Sequence, residues 1–384
     1  MHYLYAQGGW CHYASKDLIK WRRLGYPLRP DQSYDNISLD TGSATIVDGV
    51  PTMLIPGVGK VTDGSVNFTC PHFRVPALRG PCRVRMGFAI PADLTDPWLR
   101  VWEKPVSNNP LIDAPPSDIE PYWHDFSQAW QDDKTGRWWA FAGAGWRDRK
   151  ACTADPDGEA CRAGAPVPLC SAPNGSFHTA GAWDCKVGDE LWVATNATAG
   201  LPTDVFDHPA WGAAAFSCPE FYSLPAPMPP THRVFEGLLD DGKDHWWAGE
   251  YDEEARRFNP TGYGALKYNF GKANAGKSFW HAESNRRMLW QWLDPGGLGG
   301  SGGCHVSVST ALPASDATDN HDPSGIVLCN ASLHAWDGVM SVPQEVQIFA
   351  LFALRLLFSC RSSSLIFRHA FCGDRCAGMQ YQKG

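Results

Sequence analysis

Two aromatic stretches of this chain carry groups able to accept hydrogen bonds and to move protons. PYWHDFSQAW, from Pro121 to Trp130, holds His124 and Asp125; FSCPEFYSLP, from Phe216 to Pro225, holds Ser217, Cys218 and Glu220. A carboxylate such as Asp125 can accept hydrogen bonds from ligand hydroxyls, and a pair of carboxyl groups can divide acid and nucleophile roles between them. Imidazole changes charge near neutral pH, so His124 offers a contact of variable charge. A serine hydroxyl cannot supply a proton near neutral pH as a raised-pKa carboxylic acid can, which limits Ser217. Glu220 stands three residues further on, and in a regular extended strand that offset points it to the opposite face from Ser217. Asp322, in NHDPSG, is a further loop carboxylate, far along the chain from the other two.

The composition narrows the ligand. The 384 residues carry a net charge of -8, which argues against a polyanion-binding surface, so no nucleic-acid partner is expected. The 18 Trp and 11 Tyr exceed what a core needs, and indoles stack well on the CH-rich faces of neutral sugars. Most of these aromatics are nevertheless expected to fill a core, Trp130, Trp183 and Trp211 among them. Thirteen cysteines and the sequons at Asn36, Asn67, Asn174, Asn196 and Asn330 together fit an oxidising secretory route. Cys152, Cys161, Cys170 and Cys185 include no close Cys-x-x-Cys pair, so disulfides rather than a metal site are expected there.

The elements that position these groups read as strands. ATIV and PTMLI flank Asp48-Gly49, a dipeptide that tolerates the positive φ of a tight turn, and Ser43 to Ile55 is expected to form a hairpin. TGRWWAFAGAG, GDELWVAT, GKDHWWAGEYD and NRRMLWQWL repeat a turn followed by an aromatic strand. The turns at Gly136, Gly188 and Gly242 lie 52 and 54 residues apart, a spacing that suits β-propeller blades better than single sandwich strands.

Longer blocks carry a family resemblance. Trp10-Cys11-His12 with SKDLIKW resembles the WGHxxSxDLxHW block of glycoside hydrolase family 32, the invertases and fructan hydrolases. TGSATIVDGVPTMLIPG resembles the SGSATxxxDGxPxxLYTG block that follows it there. AIPADLTDPWLRVWEKPVSNNPLI, LDDGKDHWWAGEYD, LKYNFGKANAGKSFWHAESNRRMLWQWL and HAWDGVMSVPQEV resemble later blocks in order.

The resemblance implies an all-β fold, a five-bladed β-propeller over residues 1–346, with incomplete first and last blades. It implies hydrolysis of terminal β-fructofuranosyl residues of sucrose or a fructan, with retention and without metal or cofactor. On this alignment Asp125 falls on the family's sugar-holding Asp, the transition-state stabiliser, with His124 replacing its Arg and Phe126 its Pro. Ser217 stands where the acid/base Glu belongs, and Glu220 matches the family's following Asp rather than the acid. Trp10, Thr41, Ser43 and His124 match substrate-binding positions, and Asp40 replaces an aromatic.

The family's nucleophile block, NDPNG, would precede HYLYAQ, and MHYLYAQGGW lacks the basic start and long apolar core of a signal peptide. The chain is therefore expected to be truncated at both ends, without the family's C-terminal β-sandwich. Secretion, to a cell wall or a vacuolar lumen, is the expected location. Residues 347–384 match nothing upstream and remain an unattributed apolar and basic tail, whose apolar run is shorter than the roughly 20 residues of a membrane span. Because Ser217 and His124 are changes in the middle of the domain, a catalytically inactive fructoside-binding propeller is the alternative to an enzyme.

Overall fold

The computed structural model describes residues 2–6, 9–65, 80–117, 119, 123–145, 167–186, 216–224, 228–229, 231–238, 244–255, 257–265, 272–294, 339–340, 344–349 and 353–357. These residues form five antiparallel sheets that follow one another along the chain. The first contains His2–Ala6, Gly9–Ala14 and Arg22–Leu28. The second runs Ser38–Leu39, Val50–Lys60, Cys82–Pro91 and Trp102–Glu103, with Ser43–Val47 beside Val50–Lys60. The third is Trp130–Gln131, Trp138–Phe141, Leu169–Ala172 and Asp184–Lys186. The fourth comprises Ser217–Ser223, His232–Leu238, Asp244–Asp252 and Arg257–Ala265. Lys272–His281, Arg286–Asp294, Gln344–Phe349 and Ala353–Leu357 make the fifth, with Val339–Met340 paired to its second strand. Helical structure among the described residues is confined to short 3-10 turns such as Val106–Asn108 and Ala282–Ser284.

Burial explains why the strands are aromatic on both faces. In DHWWAGEYD the first six residues are all buried, where a sheet facing water on one side would alternate. Consecutive sheets cover one another's faces. Trp10, Leu39 and Met53 join the first two sheets, and Phe88, Met86 and Trp138 the next pair. Phe141, Phe221, Phe235 and Trp247 fill the space between the third and fourth, and Trp246, Val234 and Leu289 that between the fourth and fifth. Trp21 meets Trp290 edge to face, with ring centroids 5.4 Å apart, and so joins the first sheet's connecting loop to the fifth sheet. A two-sheet sandwich has one core, whereas here a separate core lies between each consecutive pair.

The hairpin forms as expected. Val47 pairs with Val50, and Asp48 and Gly49 take φ values of 49° and 80°, the left-handed pair that a two-residue turn requires. Gly136 likewise turns at φ 68°, while Gly188 and Gly242 lie outside the described residues. Of the expected core tryptophans, Trp183 is buried and Trp130 packs on Phe141 and Phe221; Trp211 lies outside the described residues. The strand Gln344–Phe349 runs across position 346 and pairs antiparallel with Ala353–Leu357, so the described part of the apolar tail adds to the fifth sheet. No helix among the described residues is long and apolar enough to cross a membrane.

Cys170 and Cys185 form a disulfide across the outer strands of the third sheet; Cys152 and Cys161 lie outside the described residues. The bridge closes a loop with a sequence separation of 15. Chain entropy for such a loop gives about 3 kcal/mol, so Cys185→Ser is expected to lower the urea midpoint by that equivalent, with an unchanged slope. An unshifted midpoint would show that the third sheet holds its edge without the bond.

Candidate active site

The groups singled out in the sequence come from different sheets and meet along their inner segments. Ser43 opens the strand Ser43–Val47 of the second sheet, and its Oγ donates to the Ser127 carbonyl at 2.5 Å. Thr45 Oγ1 repeats the contact one step outward, at 3.1 Å from the Ala129 carbonyl. These bonds fix the segment from Trp123 to Ala129, which is stitched on its other side to the third sheet. His124 and Gly143 exchange both backbone hydrogen bonds, at 2.8 and 2.6 Å, and the Ser127 amide donates to the Phe141 carbonyl. Ala144 in turn exchanges both with Phe216, at 2.8 and 3.0 Å. Gly143 and Ala144 therefore act as a two-residue seam between the His124 and Ser217 segments. A Cβ on Gly143 would lie 2.7 Å from the Phe216 carbonyl oxygen, so any side chain there would force the two segments apart.

Across this seam Asp125 and Cys218 lock together. Both have left-handed backbones, φ 56° and 52°, a conformation that costs a non-glycine residue about 1–2 kcal/mol. The Cys218 amide donates to Asp125 Oδ2 at 3.0 Å, and the Cys218 thiol lies 3.3 Å from the same oxygen. Burial, and after it the Asp125 carboxylate, push the Cys218 thiol far up, which keeps it a neutral donor and not a thiolate nucleophile. His124 Nε2 stands 3.1 Å from Ser217 Oγ and 3.2 Å from Asp125 Oδ2. Asp125, His124 and Ser217 thus form one contiguous group.

The strand carrying Ser217 and Glu220 is not regular. Ser217 pairs with Leu238 and Glu220 with Glu236, so three steps on one strand oppose two on the other. This bulge corrects the expectation that the offset turns Glu220 to the opposite face, because Leu238 and Glu236 share a face of their own strand. Glu220 is still no substitute acid. It is 1% exposed and takes Lys277 Nζ at 3.1 Å, the Ser278 amide at 3.2 Å and Ser278 Oγ at 2.9 Å. Lys277 also reaches the carbonyls of Phe126 and Pro219, both at 3.3 Å, and so ties the fifth sheet under the Asp125–Cys218 lock. Burial works to lower the Lys277 ammonium, but Glu220, then Cys218 and Asp125, outweigh it and hold its pKa above the ordinary value.

Trp10 is 5% exposed and its indole N–H donates to the Asp40 carbonyl at 3.1 Å, so it supports the loop carrying Thr41 from below. Thr41 and Ser43 are partly exposed at the mouth of their strand. Asp322 lies outside the described residues, as does the segment upstream of Ser217 from 187 to 215. Among the described residues no group of three or more His, Cys, Asp and Glu is arranged to hold a metal ion.

Sequence reasoning passed over a second acidic group behind the site. Glu236 and Asp244, on adjacent strands of the fourth sheet, are 2% and 0% exposed, and both face Gly276 of the fifth. Asp244 Oδ2 accepts from Gln291 Nε2 at 2.6 Å and from the Gly276 amide at 3.0 Å, while Glu236 Oε2 accepts from the Tyr222 hydroxyl at 3.0 Å. Burial raises Asp244 to about 7, against the bonds from Gln291 and Gly276. Burial and then Asp244 push Glu236 far up as well. The apolar neighbours in HRVFEGLL and DHWWAGEYD are the signal that marks these two as buried carboxyls.

Comparison with known proteins identifies the family. The family model for the glycosyl hydrolases family 32 N-terminal domain matches residues 3–153, the span that includes Trp10, Ser43 and Asp125. Residues 3–153 thus carry a glycoside hydrolase family 32 N-terminal domain. Its similarity continues past that span: the beta-fructofuranosidase insoluble isoenzyme 1 of Daucus carota is 27% identical over 293 residues, 74% of this chain and 42% of the relative. The acid beta-fructofuranosidase of Solanum lycopersicum is 29% identical over 303 residues, covering 74% and 38%. The chain thus spans about two-fifths of the length of these relatives. Among solved structures, fructan 1-exohydrolase IIa of Cichorium intybus superposes with a TM-score of 0.57 at 21% identity, over 90% of this chain and 51% of that one. The Bombyx mori family 32 beta-fructofuranosidase gives 0.53 at 14% identity, over 92% and 57%. These likenesses show the β-propeller fold that the chain shares with them.

Proposed function

We propose that the Asp125–His124–Ser217 group is a fructoside site of the β-fructofuranosidase type, set on the axis of a five-bladed propeller whose blades are the five sheets, over residues 1–346. The reaction it serves is hydrolysis of a terminal β-fructofuranosyl residue of sucrose or a fructan with retention. The observation that carries this reading is the Asp125–Cys218 lock, in which a buried carboxylate is held on a left-handed backbone beside the partly exposed Ser217. Left-handed non-glycine residues persist where surrounding structure over-determines them, and they cluster at working sites. Asp125 accepts sugar hydroxyls, and Thr41 and Ser43 line the mouth. A fructan 1-exohydrolase structure holding 1-kestose and a beta-fructofuranosidase variant holding sucrose support the ligand class. The Cys170–Cys185 disulfide and the relatives support an oxidising location, secreted, cell-wall or vacuolar.

Calorimetric titration with sucrose and 1-kestose tests the site. Asp125→Asn removes the charged acceptor while keeping the shape, and hydrogen bonds to charged groups contribute about 1.5–3 kcal/mol, so affinity should fall at least about tenfold. Equal binding by the variant would move the sugar elsewhere. The second reading, a binding propeller without catalysis, is favoured by Ser217 at the acid position together with the capture of Glu220 by Lys277. Release of glucose from sucrose above a no-protein control would reject it.

A further inference from the structure

We propose that His124 and Ser217 act together as the proton donor of this site, the imidazolium supplying the proton and the serine hydroxyl delivering it to the glycosidic oxygen. This rests on the fructoside reading above. It starts from which nitrogen faces which oxygen. The same atom, His124 Nε2, lies 3.1 Å from Ser217 Oγ and 3.2 Å from Asp125 Oδ2. A carboxylate can only accept, so the proton belongs on Nε2. Ser217 Oγ then receives a hydrogen bond from the imidazole, and its own O–H is directed away from it. The His124 and Asp125 side chains are 16% and 7% exposed, and Ser217 is partly exposed, so the outward direction is toward the ligand side.

The same geometry excludes the obvious rival. In a Ser-His-Asp nucleophilic arrangement the imidazole meets the serine with one nitrogen and the carboxylate with the other. Here the nitrogen that faces Ser217 is the one beside Asp125, so with its proton on Nε2 the ring gives Ser217 Oγ a hydrogen bond and cannot at the same time withdraw the Ser217 proton. Ser217 is an acceptor from the ring and a donor to whatever lies in front of it.

A relay balances as follows. The Nε2 proton passes to Ser217 Oγ while the Ser217 hydroxyl proton passes to the glycosidic oxygen. The bond from that oxygen to the anomeric carbon breaks, with its electron pair leaving on oxygen as the new hydroxyl. His124 ends as neutral imidazole, Ser217 is unchanged, and the anomeric carbon is left to a nucleophile or to water, the co-substrate of hydrolysis. An imidazolium suits the task because its acidity lies near working pH, whereas a lone serine hydroxyl does not.

The charged groups around the ring are named by the contacts: Asp125 lies beside it, and Lys277 sits on the carbonyls of Phe126 and Pro219 next to each segment. Cys218 is a neutral thiol, Asp244 lies behind it, and the Gly143–Ala144 seam brings no charge.

Sucrose titrations at pH 5 and pH 8, in two buffers of different ionisation enthalpy, count the protons taken up on binding. The wild-type chain is expected to bind several-fold more tightly at pH 5 and to take up protons between these limits. His124→Gln should bind with one weak affinity at both pH values and no uptake, and Ser217→Ala should lose most of the uptake. Ring 15N resonances of the wild-type chain give a readout independent of variant folding: the His124 Nε2 signal should shift on sucrose binding at pH 5. Binding that is equal at both pH values without uptake, or no ring shift, overturns the relay and leaves the fructoside site standing. Uptake that survives His124→Gln overturns it in favour of another donor. No binding at any pH overturns the fructoside reading, and the relay with it.

Discussion

Raising the pH from 4 to 8 is expected to remove about 4 kcal/mol of folding stability through Asp244 alone, with the loss complete once the pH passes about 7. The folded chain keeps a proton on this buried carboxyl that the unfolded chain has already released above its ordinary value of 3.8. The native state therefore binds more protons across that window, and stability falls as pH rises. Below the ordinary value both states are protonated and the contribution is fully present. Glu236 adds to the same trend, because burial and the neighbouring Asp244 raise it too. Asp244→Asn keeps an oxygen for Gln291 and Gly276 but removes the charge, so its urea midpoint should fall less with rising pH, the remaining slope coming from Glu236, and exceed that of the wild type at pH 8. Parallel profiles for the two proteins would show that the pair relaxes without a proton.

Alanine at Glu220 is expected to destabilise the fold by about 3 kcal/mol, at the low end of the roughly 3–5 kcal/mol observed when one partner of a buried ion pair is deleted. Lys277 would lose its carboxylate while its side chain remains only 21% exposed, and Ser278 would lose the acceptor for its amide and its hydroxyl. The low end applies because Lys277 keeps the carbonyls of Phe126 and Pro219. Changing both partners, Glu220→Gln with Lys277→Met, should recover part of the loss by removing the ammonium left without its carboxylate, while the buried Arg287 guanidinium, 3.9 Å from Glu220, keeps the recovery incomplete. A urea denaturation series on the three variants measures this. A Glu220→Ala midpoint within error of wild type would mean that Glu220 does not anchor the fifth sheet.

Local turn chemistry was the most legible part of the sequence. Asp48-Gly49 announces its hairpin because few dipeptides accept two left-handed positions in succession, and the register follows from the turn. The succession of sheets was readable in the repeated turn-plus-aromatic units, since a strand covered on both faces must be apolar throughout. The family blocks located Asp125 and Ser217, but no local signal reports that their segments touch, because the contact depends on the Gly143–Ala144 seam more than seventy residues from Ser217 in one direction and about twenty from Asp125 in the other. The bulge between Ser217 and Glu220 was hidden for a related reason: SCPE contains no glycine to mark a left-handed residue, and it is Asp125 that holds Cys218 there. Glu236 and Asp244 read as ordinary strand carboxylates until the fifth sheet covers them.

The edge-to-face meeting of Trp21 and Trp290 bears on how the chain reaches this shape. The aromatic cores among the described residues join sheets adjacent in sequence, so each can form as soon as the next hairpins are made, by closing modest loops. The tryptophan pair joins the beginning of the described chain to its fifth sheet and can form only after the intervening sheets have curled round. Loop-closure entropy grows slowly with length, but the partners of a long-range contact must first be brought together by everything between them. A contact of such sequence separation is expected among the later ones to form and the earlier ones to open, which hydrogen exchange on the strands flanking Trp21 and Trp290 would check.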